Sequence, residues 1–119
     1  MSDKILIVDG EEQLRSRCKV ELQALGYDVI AVGDAKGALQ TVEQEPVDLV
    51  VLDLVLPDEA GFEHLQKLVS AQRNVKVVIN TAYPSYKADF NSWIADAFLT
   101  KSTDLTELKD TIGSVLRSN

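Results

Sequence analysis

Several short apolar runs in this chain stop at residue types that can do chemistry. Ile5-Leu6-Ile7-Val8 is followed by Asp9-Gly10-Glu11-Glu12, and Leu49-Val50-Val51-Leu52 by Asp53-Leu54-Val55-Leu56-Pro57-Asp58. The run Val75-Lys76-Val77-Val78-Ile79 leads into Asn80-Thr81-Ala82, and Ala97-Phe98-Leu99 into Thr100-Lys101-Ser102. If the runs lie side by side, Asp9, Asp53, Thr81 and Lys101 share one rim: two carboxylates, a hydroxyl and an ammonium. Carboxylates brought close raise each other's pKa unless a cation sits among them. Mg²⁺ is the natural partner, because it is held by one or two carboxylates plus waters and phosphate oxygens. Such a set contains the parts for phosphoryl transfer: a nucleophile, a metal, and positive groups facing the phosphoryl oxygens. The constellation gives the class of chemistry and leaves the identity of the nucleophile open.

The elements that would position these groups are legible. The runs around Ile5, Val29-Ile30-Ala31-Val32, Leu49 and Val75 are apolar without alternation, as in strands buried on both faces. Ala97-Phe98-Leu99 reads as a weaker fifth strand. Between them, Leu14, Cys18, Leu22 and Leu25 recur at helical spacing and stop at Gly26. Asp34 can cap a helix with Ala35, Ala38, Leu39 and Val42 inward, ending before Pro46. A third helix starts at Gly61-Phe62 and turns Phe62, Leu65, Leu68 and Val69 inward. A polar-aromatic fourth helix is expected from about Pro84 to Trp93. Thr103 or Asp104 caps a last helix with the stripe Leu105, Leu108, Ile112, Val115 and Leu116. Buried strands alternating with amphipathic helices imply an α/β fold, a doubly wound parallel sheet covered on both faces. Ligands of such sheets sit at the carboxyl ends of the strands, where the reactive residues stand.

Composition narrows the rest. The 119 residues make one domain, and 45% hydrophobic content excludes a disordered chain. No run approaches the roughly 18 apolar residues of a membrane span, and the N-terminus has no secretory pattern. The net charge of −7 argues against direct contact with nucleic acid or an anionic membrane. A single cysteine, Cys18, rules out an internal disulfide framework and fits a cytoplasmic setting. The last helix ends just before Asn119, so an output domain is not expected within residues 1–119.

Taken together and in order, Ile5–Asp9, Asp48–Pro57, Gly61, Asn80-Thr81-Ala82 and Phe98–Lys101 resemble the response-regulator receiver domain of two-component signalling, the family that includes chemotaxis regulators. The resemblance implies a flavodoxin-like three-layer sandwich with a five-stranded sheet of order 2-1-3-4-5. It implies that Asp53 accepts a phosphoryl group from a histidine kinase or phosphotransfer protein. Asp9, Asp53 and the backbone carbonyl of Val55 would hold Mg²⁺, and Lys101 would pair first with Asp53 and then with the phosphoryl oxygens. Thr81 and Phe98 would act as the switch, re-aiming the surface of the fourth helix, fifth strand and last helix towards a downstream protein target or a second copy. A receiver supplies catalytic groups for its own phosphorylation and dephosphorylation and is not a turnover enzyme.

Three positions depart from that pattern. The family's second acid, a direct Mg²⁺ ligand, is replaced by Gly10. Loss of an outer-shell partner alone costs roughly 10–100-fold in metal affinity, so loss of a direct ligand should cost at least that. Glu11 could take the place of the missing acid. Alternatively, phosphorylation is detuned and the chain is a phosphorylation-independent protein-binding module. Ser102 stands where proline usually follows the lysine, leaving the isomer of the Lys101–Ser102 bond open, and Phe98 lacks the hydroxyl of the frequent tyrosine. A flavodoxin-like nucleotide binder is disfavoured, since no glycine-rich loop follows the first strand. Blander readings apply elsewhere. Gly10 could serve a permissive turn, and Glu11 and Glu12 could be first-turn acids favoured by the helix dipole. Asp58 reads as a solvated loop residue, Cys18 as core and His64 as exposed. Tyr83, Tyr86, Phe90 and Trp93 divide between core and a partner or dimer surface.

Overall fold

A computed structural model describes residues 2–58, 61–83 and 95–118. Lys4–Val8 forms β1, Glu12–Ala24 α1, Asp28–Val32 β2, Ala35–Gln44 α2 and Leu49–Leu52 β3. They are followed by Gly61–Ala71 as α3, Lys76–Thr81 as β4, Ala97–Thr100 as β5 and Thr106–Arg117 as α4. All strand pairs are parallel, and the sheet runs β2-β1-β3-β4-β5, as expected. The expected helix from Pro84 to Trp93, with Tyr86 and Phe90, lies outside the described residues, as do the side chains of Phe62 and His64. Among the described residues no helix is long and apolar enough to cross a membrane.

Unbroken apolar runs make sense because the sheet is covered twice. Leu6, Val8, Val50, Leu52, Val77 and Ile79 face Ala38, Val42, Leu65 and Leu68 of α2 and α3. Ile5, Ile7, Leu49, Val51 and Val78 face Cys18, Leu22, Leu108 and Ile112 of α1 and α4. Three local readings change. Leu25 is 56% exposed because it caps α1 instead of continuing its stripe, with Gly26 beyond it at φ +96°. Val75 is buried but precedes β4, which runs on through Asn80 and Thr81. Asp104 accepts the Thr106 N–H at 2.9 Å, while Leu105 holds the cap position of α4.

Cys18 is 2% exposed within the α1/α4 layer, and burial pushes its thiol up to about 11. At pH 7 a thiol with that pKa is ionised in roughly one molecule in ten thousand. A disulfide reagent should therefore label Cys18 at least about 100-fold more slowly in the folded chain than in urea. Comparable rates in the two conditions would contradict the core placement.

Candidate functional site

Backbone bonds fix the acids at the sheet's carboxyl edge. The Asp9 N–H donates to the Val32 carbonyl at 3.1 Å and the Asp53 N–H to the Val8 carbonyl at 2.9 Å, which ties both to β1 and its neighbours. Each carboxylate then closes a turn two residues on. Asp9 Oδ1 accepts the Glu11 N–H at 2.8 Å, and Asp53 Oδ1 accepts the Val55 N–H at 3.1 Å. Both acids are 5% exposed. Lys101, whose N–H donates to the Thr81 carbonyl at 2.8 Å, reaches back over the sheet from the end of β5. Its Nζ lies 3.0 Å from Asp9 Oδ1, 2.8 Å from Asp53 Oδ2 and 2.7 Å from Glu11 Oε1.

The electrostatics follow from burial. Desolvation works against the Lys101 ammonium, but hydrogen bonds to Asp53, Glu11 and Asp9 outweigh it and hold its pKa above the ordinary lysine value. Burial raises the pKa of Asp9, opposed by the Glu11 N–H and by Lys101. Lys101 is thus a fixed cation in a cage of three carboxylates.

Asp9, Glu11 and Asp53 each place a carboxylate oxygen within 4.8 Å of the others. Three hard oxygen donors on that scale suit Mg²⁺, so the residues present fit the ion. Glu11 holds the N-cap position of α1 but makes no cap hydrogen bond with its side chain and spends its carboxylate on Lys101, so it is more than an acid near a helix dipole. Gly10 is not demanded by its turn: among the described residues Gly26 is the only glycine with positive φ. A Cβ at position 10 would meet Pro57 Cδ at 3.5 Å and the Gly33 carbonyl at 3.9 Å, which are ordinary contacts. The permissive-backbone reading of Gly10 therefore falls. Among the described residues the peptide bonds are trans, Lys101–Ser102 included.

Thr81 is fully buried at the end of β4, and its hydroxyl accepts the Tyr83 N–H at 3.3 Å. Phe98, paired in register with Ile79, is partly buried against the α2/α3 core. Val55 is 44% exposed beside the acids and Tyr83 52% exposed beyond Thr81.

Two contacts escaped the sequence reading. Arg15 reaches from α1 and donates to the Asp9 carbonyl at 2.8 Å. Asp58, expected to be merely solvated, accepts the Ala35 and Lys36 N–H groups at 2.8 and 3.1 Å. With Asp34 taking the Gly37 N–H at 2.7 Å, α2 has a local cap and a distant one, and the loop after Asp53 is tied to it. A distant cap of this kind has no signature in sequence spacing. Asp58→Ala should cost about 1 kcal/mol, the usual worth of a cap, read as a lower midpoint in urea unfolding with unchanged slope.

Known proteins resemble this chain in sequence and in fold. A family model described as the response regulator receiver domain matches residues 5–113. The alkaline phosphatase synthesis transcriptional regulatory protein PhoP of Bacillus subtilis is 32% identical over 98% of this chain and 50% of its own length. The chain spans about half the length of such curated relatives. The response regulator TrrA of Thermotoga maritima, solved in complex with Mg²⁺-BeF, is 33% identical with a TM-score of 0.88, over 95% of this chain and 98% of that one. A structure of TrrA with the histidine kinase ThkA gives 33% identity and a TM-score of 0.86, over 96% and 98% of the two chains. On fold and sequence alike, this chain belongs to the response regulator receiver domain family.

Proposed function

We propose that this receiver takes a phosphoryl group from the phosphohistidine of a histidine kinase or phosphotransfer protein onto Asp53. The observation that carries the reading is the pair of buried carboxylates, Asp9 and Asp53, bridged by the buried Lys101 ammonium at the carboxyl ends of β1, β3 and β5. A relative solved with its kinase supports the partner class. An Asp53 carboxylate oxygen attacks phosphorus, the O–P bond forms, the P–N bond breaks, and the departing imidazole takes up a proton. The Val55 N–H on Oδ1 orients the carboxylate. Lys101 Nζ, already 2.8 Å from Oδ2, offsets charge gathering on the phosphoryl oxygens. Asp9, Glu11, Asp53 and the Val55 carbonyl are the groups that would hold Mg²⁺, which when bound supplies further positive charge there. Thr81 then bonds the phosphoryl group and Phe98 follows, changing the surface around β5 and α4 that a target protein or second copy reads. The whole is a signalling phosphoacceptor, one domain of a cytoplasmic two-component or phosphorelay pathway.

Incubation with a small phosphodonor and Mg²⁺, read by intact mass, should add one phosphoryl group, and Asp53→Ala should abolish the adduct. An adduct surviving that substitution overturns the assignment. Gly10 supports a second reading, a detuned receiver that binds its partner without phosphorylation. No adduct on this chain, but an adduct on Gly10→Asp, selects that reading.

A further inference from the structure

The end of β4 carries a buried polar side chain that the mechanism above leaves unused. Asn80 is 5% exposed, and its carboxamide has no hydrogen-bond partner among the described residues. Burying an amide without a partner is costly, and such groups in native proteins usually await a ligand or an ordered water.

Its position says which ligand. Val78, two residues earlier, lies in the core layer with Ile5, Ile7 and Val51, and strand alternation places Asn80 on the same face. That face continues upward into the reactive groups, since Asp9 follows Ile7 by two residues, Asp53 follows Val51, and Lys101 follows Leu99. Leu52 pairs with Ile79, so Asp53 and Asn80 come next on adjacent strands, about 4.8 Å apart. On the other side, Asn80 pairs with Leu99, two residues before Lys101.

We propose that Asn80 is a binding residue for the phosphoryl group on Asp53, its NH₂ donating a hydrogen bond to a phosphoryl oxygen. The inference rests on the phosphoacceptor reading of Asp53. It explains why a carboxamide stands on the face where Ile5, Ile7, Val51 and Val78 are aliphatic: its donors acquire an acceptor only when the phosphoryl oxygens arrive. It also fits the replacement of an acid by Gly10, since fewer metal ligands leave more of the phosphoryl charge for protein donors to meet.

Beryllium fluoride with Mg²⁺ is the probe, because on an aspartate it copies a phosphoryl group without turning over. Calorimetric titrations should show the wild-type chain binding it, and Asn80→Leu binding about tenfold more weakly, the worth of one hydrogen bond to a charged group. Affinity for Mg²⁺ alone should not change, and the melting temperature of the variant should be equal or higher. Asn80→Val, smaller and strand-favouring, makes the same test should leucine prevent folding. Variants that bind beryllium fluoride as the wild type does overturn the inference and leave the Asp53 assignment standing. A wild type that binds none, even after Gly10→Asp, overturns both.

Discussion

Gly10→Asp tightens Mg²⁺ binding by at least about tenfold, toward 100-fold, the range that a lost outer-shell partner spans and that a direct ligand should exceed. The backbone accepts the change, because Gly10 does not have positive φ. The added Cβ meets Pro57 Cδ and the Gly33 carbonyl no closer than 3.5 Å. Gly10→Ala is therefore the right control, and should be neutral or stabilise the fold by up to about 1 kcal/mol through the unfolded state. The new carboxylate joins Asp9, Glu11 and Asp53, whose oxygens already lie within 4.8 Å of one another. It must also be charged beside Lys101, which helps to keep it ionised. Glu11→Gln separates the two accounts of how this chain manages with three acids. A drop in Mg²⁺ affinity in the natural background means that Glu11 does part of the missing acid's work. An unchanged affinity means that it serves Lys101 alone. If Gly10→Asp leaves the affinity where it was, Lys101 and not the ligand count is what limits the metal.

The fold was legible because its signals are cumulative. Each strand is a short aliphatic run, each helix carries a stripe, and a parallel sheet is the arrangement that buries both faces of every run. The rim residues followed from topology. What sequence could not supply is how those side chains bond once they are together. Glu11 read as an acid at a helix start or a substitute metal ligand, and its bond to Lys101, 90 residues away, was not foreseen. Asp58 read as loop, yet it caps a helix 22 and 23 residues earlier in the chain. Leu25 fitted the apolar stripe of α1, but the helix had ended, and the side chain at its cap stands 56% exposed. Asn80 showed the opposite limit: its place at the end of a strand was readable, whereas its burial without a partner is visible only in three dimensions. Periodicity reports which way a residue faces and is silent about contacts between distant segments.

Lys101→Met should be the most destabilising single change at the site, at about 3–5 kcal/mol, the cost of removing one partner from a buried ion pair. Methionine keeps the apolar stem, so little of the loss comes from packing. What disappears is the one cation that the described structure places between Asp9 and Asp53, whose side chains, like that of Lys101, are only 7–8% exposed. Left behind are two desolvated carboxylates on adjacent strands, with Glu11 above them. Against a typical total stability of about 5–15 kcal/mol, such a loss is severe, and thermal melting should show it directly. The decisive measurement is the melt repeated in millimolar Mg²⁺. In the wild-type chain the ammonium already neutralises the cage and competes with the ion, so added metal raises the melting temperature little. In the variant the acids are uncompensated and the ion meets no competitor, so binding to the folded state alone should recover much of the loss. A variant that melts as the wild type does, or one that Mg²⁺ does not help, would mean that Lys101 and the metal do not compete for the same carboxylates. The resting site would then be something other than a cage whose cation can be exchanged.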